Sequence, residues 1–80
     1  EIAKLKMAYL IKKQGKDFYT EVIFKGGGRG DVFVPSESTC LEVMNTETEK
    51  YALEKSKYYP EFVFVFFYKV VDILSPDFEI

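Results

Sequence analysis

Eighty residues, 48% hydrophobic and 18% aromatic, make one small folded domain rather than a disordered segment. With no histidine and a single cysteine, Cys40, the chain excludes a zinc centre of the usual kind, a histidine-dependent hydrolase and an internal disulfide. The net charge of −2 hides an asymmetry, +4 over residues 1–30 and −6 over residues 31–80, whereas a purely electrostatic nucleic-acid binder would be basic throughout.

Residues 2–13, "IAKLKMAYLIKK", predict a helix: Ile2, Leu5, Ala8, Tyr9 and Lys12 follow i, i+3/i+4 spacing, and the interleaved lysines supply a polar edge. Gly15 is its stop, with Lys12 and Lys13 in the last turn, where cations suit the helix dipole. "DFYTEVIFK", 17–25, predicts a strand with Phe18, Thr20, Val22 and Phe24 on one face and Tyr19, Glu21 and Ile23 on the other. "GGGRG", 26–30, is a turn, and "DVFVP", 31–35, a second strand that Pro35 ends. "TCLEVMN", 39–45, gives a third strand with Cys40, Glu42 and Met44 on one face and Leu41 and Val43 on the other.

Asn45 or Thr46, with Glu49 at capping-box spacing, opens a helix over roughly 47–59, carrying Tyr51, Ala52, Lys55 and Tyr58 or Tyr59 on one side until Pro60. "EFVFVFFYKVV", 61–71, is nearly all apolar and reads as a central strand buried on both faces, followed by a short strand or loop. The step from third to fourth strand is long enough for a parallel crossover, so the order αβββαβ predicts a mixed α/β sheet flanked by helices. The chain is one domain over 1–80, with a start at Glu1 that suits a piece of a larger protein. The longest apolar run, Phe62–Tyr68, is too short to span a bilayer, and the opening residues carry no secretory leader. Those features and the lone cysteine predict a soluble, cytoplasmic setting.

Two acids stand out. Asp31 opens a strand just after the glycine run, and Glu42 sits alone among Cys40, Leu41, Val43 and Met44. Carboxylates converging from adjacent strands suit a hard, oxygen-loving cation, with a backbone carbonyl and waters completing its shell. A lysine beside them would orient a water or steady a developing negative charge at phosphorus. Glu21 is a further carboxylate if it reaches the same edge, and Lys25 and Arg29 flank a loop that a sugar-phosphate chain can approach closely.

The αβββαβ order, the Asp opening the second strand and the acid followed by Val in the third resemble the PD-(D/E)xK nuclease superfamily, the restriction-endonuclease-like fold. The resemblance spans roughly residues 1–74. It implies a divalent-metal-dependent DNA endonuclease, or the nuclease domain of a DNA-processing protein, using Mg²⁺ or Mn²⁺. It further implies Asp31 and Glu42 as metal ligands and Val43 as the backbone ligand in the (D/E)xK element. Met44 stands where that element has its lysine. In this superfamily the lysine is sometimes supplied by the following helix, which points to Lys55, with Lys57 second.

Plainer readings stand beside these. Asp31 also suits a turn end, Lys55 a solvated helix, Tyr58 and Tyr59 helix-end packing, and "GGGRG" a simple hairpin. Cys40 reads as a small buried apolar residue, and "RGD" at 29–31 as coincidence. The alternative function is a catalytically inactive module of the same fold that binds DNA or a protein. A third is an interaction domain that forms a homodimer through its aromatic strand.

Overall fold

The computed structural model of the chain describes residues 2–44, 50 and 54–80. Helix α1 covers Ile2–Lys13, as its periodicity predicts. It closes in a Schellman motif: the Gly15 N–H donates to the Lys12 carbonyl (2.9 Å) and the Lys16 N–H to the Ile11 carbonyl (3.3 Å). Gly15 takes the left-handed φ of +78° that this ending needs.

The buried stripe of α1 differs from the predicted one. Ala3, Met7 and Ile11 face the core, while Ile2, Leu5 and Tyr9 are exposed. Both stripes have helical spacing, so periodicity alone does not choose between them. The flanking cations do: Lys6 Nζ donates to the Ser75 carbonyl (2.6 Å), and Lys4 pairs with Glu21 and Asp31. Only the Ala3–Met7–Ile11 side lets both lysine stems run along the interface to acceptors on the sheet and tail.

Among the described residues four strands form one sheet in the order β1-β2-β3-β4: Tyr19–Ile23, Arg29–Val34, Thr39–Met44 and Phe64–Lys69. β1, β2 and β3 form an antiparallel meander, and β4 runs parallel to β3. The mixed sheet follows the sequence reading. Strand ends shift: β1 is shorter than 17–25, and β2 starts at Arg29, which moves Arg29 and Gly30 out of the predicted turn. A 3-10 turn, Pro35–Glu37, joins β2 to β3. Of the helix predicted over 47–59, residues 47–49 and 51–53, with the cap at Asn45 or Thr46 and Glu49 and the residues Tyr51 and Ala52, lie outside the described residues. Lys50, Glu54 and Lys55 are helical, and Ser56–Tyr58 form a 3-10 turn before Pro60.

The aromatic run departs most from expectation. β4 is not a central strand buried on both faces; it is the edge of the sheet, with Phe64 and Phe66 65% and 50% exposed. Continuous apolar character is a property of composition, and neighbours on both sides are a property of topology, so the first does not fix the second. The chain also leaves the strand at Lys69 and turns into a short helix, α2, Val70–Ile73, and no strand follows it.

The sheet separates two apolar clusters. On one face α1 and α2 cover the strands, with Met7, Ile11, Val32, Val34, Leu41 and Ile73 fully or nearly fully buried. The opposite face is smaller and more aromatic: Cys40, Tyr59 and Val63 pack with Phe24, Phe33 and Val65. There Phe24 meets Phe33 and Tyr59 edge-on, with centroids 5.5 and 5.7 Å apart. Phe18 packs with the first cluster and Phe24 with the second, so the predicted shared face of β1 is not kept.

Candidate active site: acids in register on adjacent strands

The β2–β3 ladder runs through Val34↔Thr39, Phe33↔Cys40 and Val32↔Leu41. The next pair in that register is Asp31 and Glu42. Here side chains replace the backbone ladder: the Asp31 N–H donates to Glu42 Oε2 (2.5 Å), and the Val43 N–H donates to Asp31 Oδ2 (2.8 Å). Each acid thus satisfies a backbone donor on the other's strand.

The same level is irregular in the neighbouring strand. The register Thr20↔Val32 and Val22↔Gly30 sets Glu21 opposite Asp31, and Glu21 has a left-handed φ of +54°. For a non-glycine residue that conformation costs on the order of 1 kcal/mol. Strand alternation also breaks here. Val32 packs against α1, whereas a Cβ on Gly30, two residues away, would point at Cys40 and Phe24 on the opposite face. Asp31 lies at the point of the break. Its carboxylate therefore turns between the strands instead of standing over either face.

Glu42 is 1% exposed, and its oxygens are fully engaged. Oε2 takes the Asp31 N–H and the Cys40 thiol (3.5 Å). Oε1 takes the Lys55 ammonium (3.1 Å) and faces the Tyr59 hydroxyl (2.5 Å). That hydroxyl also lies 2.6 Å from the Arg29 carbonyl and shares its one proton between the two acceptors. Burial, reinforced by the Glu42 carboxylate, pushes the Cys40 thiol and the Tyr59 phenol well above their usual ranges, so both stay protonated.

The glycine run assembles this pocket. A Cβ at Gly28 would lie 2.5 Å from the Tyr58 carbonyl oxygen, and one at Gly30 would lie 2.4 Å from Cys40 Sγ. Both glycines are buried. They admit the Tyr58–Tyr59 backbone and the Cys40 side chain, so the close approach expected for a sugar-phosphate chain is taken by the protein itself. The run also turns β1 into antiparallel β2, as the hairpin reading expects.

The remaining predicted residues divide. Lys55 reaches Glu42. Glu21 shares the cross-strand row, but its carboxylate turns to Lys4 and to Arg29 Nη2 (3.2 Å); the Lys4 contact holds its pKa below the usual carboxylate value. Arg29 is thereby paired, and Lys25 is exposed in the turn. Lys57 is exposed and, with Glu54, Lys55 and Tyr58, lines an open depression. Two members of the site had no role in the sequence reading. Lys4 bridges Glu21 and Asp31 (3.5 Å to Oδ1), and Tyr59 holds Glu42. A lysine stripe on α1 and a tyrosine before proline carry no signal that would have singled them out.

Among the described residues no group of three or more Asp, Glu, Cys or His side chains is arranged to hold a metal ion. Asp31 and Glu42 supply hard carboxylate oxygens, and a cation on either would compete with the Lys4 and Lys55 ammonium groups. No family model, curated protein or solved structure matches this chain.

Proposed function

We propose that the chain is a divalent-metal-dependent DNA endonuclease with a restriction-endonuclease-like core. One observation carries the reading: Glu42, directly across from Asp31 on the neighbouring strand, takes both the Asp31 N–H and the ammonium of Lys55 from the following segment. The meander followed by a parallel fourth strand supports it at the level of topology.

Asp31, Glu42 and the Val43 carbonyl would hold the cation, which supplies charge neutralisation at the phosphoryl oxygens and acidifies a bound water. The chain's own residues do the rest. Tyr59 and the Asp31 N–H fix the Glu42 carboxylate in one orientation. Lys55 places an ammonium beside it, in the role that Met44 in the strand cannot fill. Lys4 balances the charge of Asp31 and Glu21 from the α1 side.

A second reading is an inactive module that binds DNA or protein. It is favoured by the internal engagement of Glu42, which meets the Asp31 N–H, the Cys40 thiol, the Tyr59 hydroxyl and the Lys55 ammonium as a structural acceptor. Nicking of supercoiled plasmid in Mn²⁺ or Mg²⁺, run beside Glu42→Gln, Asp31→Asn and Lys55→Ala, separates the two. The nuclease reading expects metal-dependent nicking that vanishes in the two acid variants and falls about 100-fold in Lys55→Ala. A folded wild-type protein that neither nicks nor binds Mn²⁺ establishes the inactive module.

A further inference from the structure

The ring of Tyr58 is left in water beside the candidate site. Its backbone is held: the carbonyl closes on Gly26 and Gly28, and the next residue, Tyr59, is buried with its hydroxyl on Glu42 and the Arg29 carbonyl. The ring itself is 60% exposed, so the helix-end packing expected of Tyr58 is not its role. Among the described residues it lines an open depression with Glu54, Lys55 and Lys57. Lys55 belongs to both places, since its ammonium lies 3.1 Å from Glu42 Oε1. Lys57 is exposed, and so is Lys25, next to the Gly26 that meets the Tyr58 carbonyl. A lone exposed aromatic is ordinary on a protein surface. One on a fixed backbone, set among lysines and sharing a depression with a carboxylate-bound ammonium, has the make-up of a base-stacking platform.

That chemistry selects an unpaired strand. Resting on the nuclease reading, we infer that the depression takes a nucleotide of single-stranded DNA. Its base stacks on the Tyr58 ring, its phosphates lie against Lys57 and Lys25, and the strand leads on to Lys55 and Glu42. In a duplex each base has both faces covered by its neighbours, so a protein ring reaches a face only where the strand is unpaired. Every base has such a face, and lysines bind phosphates without reading sequence, so the platform is tolerant of sequence and sensitive to salt.

Fluorescence anisotropy with one labelled DNA strand, alone or annealed to its complement, tests this in EDTA, where no metal-dependent cleavage occurs. The single strand is expected to bind about tenfold more tightly than the duplex at the same salt. Tyr58→Ala is expected to weaken single-strand binding about tenfold and Tyr58→Phe to leave it unchanged, while duplex binding ignores both. Tyr58→Leu keeps apolar bulk without a ring and is expected to lose binding as Tyr58→Ala does; urea midpoints check that each variant is folded. Lys57→Ala is expected to weaken binding and flatten its salt dependence. Equal affinity for the two forms of DNA overturns the inference, as does single-strand binding that survives Tyr58→Ala and Tyr58→Leu, or no binding at all. Plasmid nicking in Mn²⁺ keeps the two readings apart. Nicking without a single-strand preference leaves the nuclease and removes the platform, whereas Tyr58-dependent single-strand binding without nicking removes the nuclease and supports the platform.

Discussion

The two ends of the β2–β3 pair are built on different principles. At the Val34↔Thr39 end the strands are joined by backbone pairing, and Thr39 Oγ1 turns back to the Glu37 carbonyl at the surface. At the Asp31–Glu42 end side-chain carboxylates stand in for the ladder, and a buried charge, a phenol, a thiol and two ammonium groups are gathered around them. A backbone ladder is indifferent to side-chain chemistry. A carboxylate ladder puts that chemistry between the strands and makes local stability depend on it. The same atoms that would hold a cation also hold the strands together, so stability and activity have to be measured on the same variants.

The contrast is largest for truncation. Glu42→Ala leaves the Asp31 N–H and the buried Cys40 thiol without the Glu42 acceptor, the Tyr59 hydroxyl with the Arg29 carbonyl alone, and takes from Lys55 its contact with a buried carboxylate. The expected loss is about 3–5 kcal/mol, a large part of the stability of a domain this small. Glu42→Gln keeps one acceptor oxygen and loses about 1–2 kcal/mol. Thr39→Ala, at the other end, loses less than about 1 kcal/mol. Urea midpoints at constant m-value report all three. Equal losses at Thr39 and Glu42 would show that the carboxylate end is no more demanding than the ladder end.

Packing sharpens the comparison next. Gly30→Ala drives a methyl into Cys40 Sγ and toward Glu42, with an expected cost of about 2–3 kcal/mol. Cys40→Ala in the same chain removes the sulfur that it meets. The double variant is therefore expected to be more stable than the sum of the single losses by about 1 kcal/mol or more. Additive losses would place the strain of Gly30→Ala elsewhere.

Much of this architecture was legible in the sequence. Helix α1, its glycine stop, the meander and the facing of Cys40 and Glu42 away from Leu41 and Val43 all follow from local pattern, which side-chain period and turn chemistry carry. Which α1 stripe is buried did not follow, because it depends on where Lys4 and Lys6 find acceptors 17 and 69 residues away. The edge position of β4 likewise depends on strand order. At the site, Asp31 and Glu42 stood out because single acids next to glycine or among apolar residues are locally anomalous. Tyr59 and Lys4 stood out in no way: each looks ordinary beside its chain neighbours and acquires its role only through the contact. The broken alternation at Asp31 was hidden for the same reason, since Glu21 has no compositional mark of its left-handed backbone.

The smallest expected difference lies in the alkaline limb of stability. Cys40 and Tyr59, at the carboxylate end, keep their protons in the fold because burial and the Glu42 carboxylate oppose ionisation. In the unfolded chain they ionise near their ordinary values, 9.0 and 10.0. Above about pH 9 the unfolded chain therefore binds fewer protons than the fold, and stability falls as pH rises; below that pH the contribution is fully present. Tyr68, its phenol raised by burial alone, adds to the same fall from the other face. Cys40→Ala and Tyr59→Phe should each flatten part of the slope in urea titrations between pH 8 and about pH 10.5, leaving the share of Tyr68. Thr39→Ala should leave the slope unchanged, because Thr39 carries no titratable group and its hydroxyl bonds a backbone carbonyl. If neither Cys40→Ala nor Tyr59→Phe changes the slope, the proton-holding groups around Glu42 are already open to solvent, and the carboxylate end is looser than its hydrogen bonds imply.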